Sequence, residues 1–596
     1  MTEDPLPDAL FEISWEVCNK VGGIHTVLHS KAPFVARAYA GRVYALVGPL
    51  NARSRDSFEE CAPSQEFRAV IDAMRQRGIP CSYGGWRGVT GMPTVILVDF
   101  RSLFADVNGL KHRLWERYGI DSLNARFDYD EPLCFATAAG MLVEEYARQH
   151  GGRVVAQCHE WMAGFAILHL RANGAGVGTV FTTHATMLGR TIEGSGNDLY
   201  GLLDDQAFDP RSWAYRLGVQ EKHLTEVACV READIFTAVS DLTSREAARI
   251  LGRPADIVTR NGYHVERIPS FSETTMRHET NRDFLRALCA ALWTPTAPFD
   301  PDRTLILLTS GRYEIRNKGI DVTIRALGKL NERLRAAGSS NTVVFLCLLI
   351  RERGPVKRLA LERWGAFARS RTAVEWVATR LLQRAALDLL AGKSPGDRGT
   401  LTETLLADLH ANAAVAQKML EGLNLTHDIA DESTDPILAA FAEAGLRNRP
   451  EDSVKVLYVP GFLDGTDGLI NLPYEDVLVG AHLGVFPSRY EPWGYTPHES
   501  AMLGVPTITT DAAGFGQHAK TLAQDGGIFI LPRIGVTDDA FVTSLADSLT
   551  WFAGLDQSER VRHGITAKRI AESCEWSSLV AHHLRAHTEA YLKRGL

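Results

Sequence analysis

Residues 483–516 read LGVFPSRYEPWGYTPHESAMLGVPTITTDAAGFG. "LGVFPS" and "PTITT" are short apolar runs of strand type, and the segment between them ends in one short helix. Pro492 and Pro497 exclude a continuous helix from Glu491 to Glu499. A helix starting at Thr496 satisfies both prolines. Thr496 is then the N-cap, Pro497 the first helical residue, and Glu499 closes a Thr-x-x-Glu capping box. The free N–H groups of that helix end would face a cleft and favour a phosphate.

The same rhythm runs outward in both directions. Strand-like runs begin near Leu10, Arg42, Thr94, Arg153, Thr179, Asp234 and Asp256, with helical patterns between several of them. After a polar, proline-containing stretch at about 270–302, read as a link, it restarts at "TLILLTSGRYEIRNKGIDVTIRALGKL" from Thr304 and "NTVVFLCLLI" from Asn341. "VKVLYVP" from Val454 and "GIFIL" from Gly527 complete it. Buried strands interleaved with helices imply parallel sheets covered on both faces. The reading is an α/β protein with two Rossmann-like, doubly wound domains facing a deep cleft, at 1–275 and 276–596. Residues 355–447, rich in Ala, Leu, Arg and Glu, form a long helical insertion in the second domain, and such helices often pair with another subunit. C-terminal helices at about 556–596 are free to pack back on the first domain.

Composition narrows the class. A chain of 596 residues is too long for one core. With 45% hydrophobic and 23% charged residues it is an ordinary globular protein. A net charge of −8 gives no footprint for nucleic acid or an anionic membrane. The longest central apolar run, from Val343, is too short to span a bilayer. The acidic start "MTEDPLPDALF" is unlike a signal peptide. Nine scattered cysteines without C-x-x-C read as reduced thiols, so a cytoplasmic location is expected.

Three further clusters bear on chemistry. In "WEVCNKVGGIHTV", Lys20 and the Gly22-Gly23 pair lie between a strand and a helix, where glycines permit φ > 0 and let N–H groups approach an anion. In "GRYEIRNKG", Arg312 and Lys318 can clamp a diphosphate leaving group, although a solvated loop is the better reading of them in isolation. "DYD" at Asp128 imitates an Asp-x-Asp metal motif but reads as a surface loop. Trp493 and Tyr495 are explained by packing alone, and Glu499 by capping.

Taken in order, "WEVCNKVGGIHTV", "CHEWMAG", "FTTHATMLGR", "DIVTRNG", "GRYEIRNKG" and the 483–516 block resemble the signatures of the animal and fungal glycogen synthases, retaining glycosyltransferases of the GT-B fold. The resemblance covers about Leu10 to Leu531. It implies transfer of glucose from UDP-glucose to the non-reducing 4-hydroxyl of an α-1,4-glucan, with retention. UDP-glucose is a co-substrate; no other cofactor and no metal is expected.

The resemblance makes Glu491 the catalytic carboxylate beside the donor glucose, with Arg312 and Lys318 on the diphosphate. It assigns Lys20, Gly22, Gly23, His184, Arg190, Tyr474, Tyr490, Trp493, Gly494, Thr496 and Glu499 to the donor site. Within that set Tyr474 stacks on uracil and Glu499 binds the ribose hydroxyls; Glu160 is structural or close to the glucose. It also implies a homo-oligomer, a tetramer in the family.

Three departures stand out. Arg489 and His498 replace the usual Tyr and Ala. The regulatory helix keeps Arg560, Arg562, Lys568 and Arg569 but is interrupted by Glu559, so its face reads as solvated and a synthase without glucose 6-phosphate control is expected. The alternatives are an ADP-glucose-dependent α-glucan transferase, a nucleotide-sugar hydrolase and a catalytically silent glucan-binding scaffold.

Overall fold

A computed structural model describes residues 6–263, 269–294, 297, 299–392, 406–407, 409–410, 423–522 and 526–595. The first domain is built on a nine-stranded sheet in the order β3-β4-β5-β2-β1-β6-β7-β8-β9. Its strands are β1 (Ala9–Ile13), β2 (Val43–Pro49), β3 (Phe58–Glu60), β4 (Cys81–Trp86), β5 (Thr94–Val98), β6 (Val154–His159), β7 (Gly178–Thr183), β8 (Ile235–Ala238) and β9 (Ile257–Val258). At one edge lie β3 and β4, of which only β4 runs against the other strands, pairing antiparallel with both β3 and β5. They were not expected, because "CSYGGW" carries two glycines and "FEE" offers one apolar residue.

The second sheet holds β10 (Thr304–Arg312), β11 (Thr342–Ile350), β12 (Val454–Pro460), β13 (Leu483–Val485), β14 (Thr507–Thr510) and β15 (Ile528–Leu531). They are all parallel, in the order β12-β11-β10-β13-β14-β15. Both faces of β10 and β11 are buried, which is why they read as unbroken apolar runs. Leu305, Leu307, Val343 and Phe345 point into one core; Ile306, Leu308, Val344 and Leu346 point into the other.

Strand order reverses between β1 and β6 in the first sheet and between β10 and β13 in the second. A crevice opens at the carboxyl end of each reversal, because neighbouring crossovers leave in opposite directions. These two crevices position the site.

One reading of the sequence is corrected. The stretch taken as a polar link is a helix over Phe271–Trp293. Ser270 caps it by accepting the Glu273 N–H, and Leu285, Leu288, Cys289, Leu292 and Trp293 drop into the second domain's core. Its first turns are polar and hid that buried half. In the helical insertion, Arg358–Leu390 is one helix of 33 residues. It seats on the domain through Ala360 and Arg363, whose guanidinium donates to Leu292 O at 2.7 Å. Farther along, Trp376, Leu382, Leu387 and Leu390 are exposed. The helical pattern near 401–422 falls almost wholly outside the described residues.

The last helix, Trp576–Lys593, returns to the first sheet, where Ala586, Ala590 and Tyr591 join the core of Leu10, Val155, Val180 and Ile235. The Trp576 indole donates to Ser30 Oγ at 2.8 Å.

Gly319 controls how the helix after β10 meets β13. Its φ is +66°, and a Cβ there would lie 2.1 Å from Pro487 O. Gly319→Ala should therefore destabilise the protein by about 3 kcal/mol, read as a lower thermal midpoint, and displace the adjacent Lys318.

Candidate active site

Each reversal point delivers charged side chains to the cleft. From the second domain, Lys318 follows β10 and Glu491 follows β13, and the Lys318 ammonium is in direct contact with a Glu491 carboxylate oxygen. Arg312, the last residue of β10, pairs with Glu314 at 3.0 Å. Burial works against ionisation of Glu314, yet Arg312, Arg190 and Lys318 hold it below the usual carboxylate range. Glu314 was overlooked in the sequence because it sits among cations on a loop.

The helix beyond Glu491 does not start as expected. It spans Tyr495–Met502, and its N-cap is Gly494 at φ 107°, with no side-chain cap. Thr496 is therefore already helical, and no capping box forms. A left-handed residue has to precede the helix, and a Cβ on Gly494 would approach Glu491 Cγ to 3.2 Å. Glu499 is thus released from capping. Burial and nearby Glu475 push it up to about 8, against Lys20, Tyr474 and Lys318. The Tyr474 hydroxyl is fixed by Ser310 Oγ at 2.8 Å.

From the first domain come the β1, β6 and β7 ends. Lys20 reaches across, its Nζ 5.7 Å from the ring of Phe462 in the loop after β12. The helix Gly23–Ala38 begins at Gly22, but neither glycine takes positive φ. The Glu16 carboxylate accepts the Gly22 N–H at 2.7 Å and the His25 N–H at 3.0 Å. A side chain of the same loop therefore occupies the Gly22 N–H, one of the two glycine N–H groups expected to meet an anion.

His184 belongs to a buried polar chain. Burial alone would raise Glu12, but the Lys31 ammonium in contact with it and His159 hold it well below the carboxylate range. An ionised Glu12 only accepts, so His159 donates through Nε2 at 2.8 Å and keeps Nδ1 as an acceptor. His184 then donates its Nε2–H to that Nδ1 at 2.9 Å, which leaves His184 Nδ1 unprotonated. Burial keeps both rings neutral. Glu160, with φ 65°, accepts the N–H groups of His184 and Ala185 at 2.8 and 3.0 Å. Burial pushes it up to about 7, opposed chiefly by Arg190. Burial works against the Arg190 guanidinium too, but Tyr490, Glu160, Glu314 and Glu491 around it raise its pKa.

Arg190, Arg312 and Lys318 thus converge on Glu491 and Glu314 from two domains. Such a group can bind a diphosphate and stabilise charge growing on it. The protein-family model described as glycogen synthase matches residues 12–594.

The chain belongs to the glycogen synthase family.

It is 33% identical over 587 residues to the glycogen [starch] synthase of Neurospora crassa, covering 97% of this chain and 83% of that one. It is 33% identical over 624 residues to isoform 2 of Saccharomyces cerevisiae, at 100% and 88% coverage. The human liver glycogen [starch] synthase is 32% identical over 576 residues, at 96% and 81%. Among solved structures, the catalytic domain of starch synthase IV from Arabidopsis thaliana, bound to ADP and acarbose, aligns with a TM-score of 0.51 at 13% identity. That match covers 98% of this chain and 99% of the other, and supports the GT-B fold. The protein is a glycosyltransferase.

Several readings of the sequence change in this frame. The Trp493 ring is buried with Met502, Phe515 and Trp576, in a cluster that also takes in Val27 and Val239 of the first domain, so packing holds it. His498 is buried too, stacked on Phe515 at 4.6 Å. Arg489 ion-pairs with Asp538 and lies 3.7 Å from Glu193 of the first domain. "DYD" is not a surface loop. It forms the first turn of the helix Phe127–His150, with Asp128 bound to Lys222 and Asp130 to Lys111, each at 2.6 Å. Among the described residues, no cluster of His, Cys, Asp and Glu is arranged to hold a metal, and no helix is long and apolar enough to cross a membrane.

The regulatory arginines separate. Arg562 is exposed, and Arg569 lines a shallow pocket with Lys568. Arg560 turns inward, where burial and Arg286 lower its pKa against Asp556 and Glu559. Burial and then Arg282, Arg286, Arg560 and His278 push His482 well below its usual value. That face of the helix is therefore not simply solvated.

Proposed function

We propose that the protein transfers glucose from UDP-glucose to the non-reducing 4-hydroxyl of glycogen or a related α-1,4-glucan, with retention. The observation that supports it best is the convergence of Arg190, Arg312 and Lys318 on Glu491 and Glu314. The bond between glucose C1 and the diphosphate breaks, and one between C1 and the acceptor oxygen forms. The acceptor's proton leaves with the departing phosphate or passes to solvent. Negative charge grows on UDP while positive charge grows on the sugar. The three cations favour the first, and Glu491 offsets the second.

A diphosphate bound by Lys318 would compete with Glu491 for its ammonium, so donor binding would free the carboxylate to face the sugar. Tyr474, oriented by Ser310, offers its ring to uracil, and Glu499 its carboxylate to the ribose. With three cations on the leaving group, no divalent metal is required. The exposed apolar residues of the Arg358–Leu390 helix favour a homo-oligomer, and nine unpaired thiols favour the cytoplasm.

Control is a second reading. The cluster of His278, Arg282, Arg286, His482 and Arg560 favours response to a phosphorylated sugar over the loss of control suggested by the interrupted helix.

The test supplies UDP-glucose or ADP-glucose, with and without glycogen, in the presence of a chelator. UDP release that requires glycogen and matches incorporated glucose is expected, with activation by glucose 6-phosphate. Glu491→Gln and Lys318→Ala should each lower kcat about 100-fold or more. Acceptor-independent UDP release would instead mean hydrolysis, preference for ADP-glucose a different transferase, and silence with both a scaffold.

Glu499 adds a pH signature. Ribose hydroxyls donating to it favour the carboxylate, so donor binding lowers a pKa that stands at about 8. Below that pH a proton must leave on binding. UDP affinity should rise with pH and level off above about 8. Calorimetry in two buffers of different ionisation enthalpy reads the released proton; identical heats would contradict the assignment.

A further inference from the structure

The turn His184–Met187 is held in an unusual way. Its four consecutive main-chain N–H groups all end on buried glutamates from three different elements. Glu160, at the end of β6, takes His184 and Ala185. Glu226, from the helix Gln220–Glu232, takes Met187 through both oxygens at 3.0 and 3.1 Å. Glu246, from the helix Asp241–Ile250, takes Thr186 N–H at 3.3 Å and also its hydroxyl.

Glu246 differs from the other two because its Oε1 has a partner in the second domain. The buried Tyr490 hydroxyl donates to that same oxygen at 2.9 Å. Each side of this contact leads to a residue of the transfer site. On the first-domain side, Thr186 Oγ1 accepts Gly189 N–H at 2.9 Å and caps the helix Met187–Gly194, which carries Arg190. That helix lies so close that a Cβ on Gly189 would be 2.3 Å from Glu246 Oε1. On the second-domain side, Tyr490 immediately precedes Glu491. The N–H groups of Arg489 and Tyr490 both donate to Asn317 O, at 2.9 and 3.3 Å, next to Lys318.

We propose that Glu246 is a positioning residue for glucosyl transfer: through Tyr490 it sets Glu491 and Lys318 of one domain in register with Arg190 and His184 of the other. It touches neither donor nor acceptor. The inference rests on the transfer reaction proposed above. All three bonds use one oxygen, so a glutamine that keeps that oxygen in place preserves them, whereas alanine removes them all.

The test is a double-mutant cycle with Tyr490→Phe, Glu246→Ala, their combination, and Glu246→Gln. It is read by steady-state kinetics and by amide hydrogen exchange over residues 184–194. Tyr490→Phe should lower kcat roughly tenfold and speed exchange in that segment, with the thermal midpoint little changed. Glu246→Ala should do at least as much, and the double variant should be no slower than Glu246→Ala. Glu246→Gln should stay within about threefold of the parent. Losses that multiply in the double variant would mean that Tyr490 acts on the donor directly, and would overturn the proposal. A glutamine variant as slow as the alanine one would also overturn it.

If Glu246→Ala does not fold, the Tyr490→Phe exchange pattern decides, and an unchanged 184–194 segment refutes the coupling. If the parent protein transfers no glucose, the reaction assignment fails, and the exchange pattern still shows whether the two domains are coupled here.

Discussion

The contact between Lys318 and Glu491 is the constraint around which the cleft is arranged. Two opposite charges set at the ends of β10 and β13 have to meet at the strand-order reversal, in surroundings largely stripped of water. Such a pair is costly to bury unless geometry and further partners compensate. Gly319 lets the Lys318 loop press against Pro487, and Gly494 lets the chain turn into a helix directly after Glu491. Arg190, Arg312 and Glu314 complete the balance of charge. The site is thus a property of parallel-sheet topology, with loop chemistry fitted to it.

The first domain meets the same problem in another way. Its cleft residues are fixed by groups that do no chemistry on substrate: Glu12 with Lys31, His159 behind His184, and three glutamates under one turn. The fixed tautomer at His184 follows from one ionised carboxylate two residues farther back in the hydrogen-bond chain, while burial keeps the rings neutral. Unpaired, any of these buried groups would be expensive. Paired, they hold one arrangement in place, which suits a reaction that depends on position.

Much of this was legible in the sequence, for a physical reason. Strands buried on both faces, such as β10 and β11, carry their apolar signal in every residue, and the 483–516 block has too many special residues to be ordinary. What escaped was set by tertiary neighbours. The Phe271–Trp293 helix hides a buried half behind a polar start, and β4 hides behind glycines. Thr496 looked like a cap because Gly494 can take a left-handed φ that no pattern announces. Trp493 reads by itself as a packing residue and packs with Phe515 and Trp576; only the family resemblance assigned it to the donor site. Glu16 and Glu246 gave no signal, since an isolated glutamate reads as surface until its donors are known.

The account stands most directly on where a nucleotide sugar settles. A crystal structure of the Glu491→Gln variant with UDP-glucose would show it. The account predicts the diphosphate held by Arg190, Arg312 and Lys318, uracil on Tyr474, and glucose C1 facing residue 491. A donor bound away from those cations, or one that leaves Tyr474 and Glu499 without contacts, would contradict it.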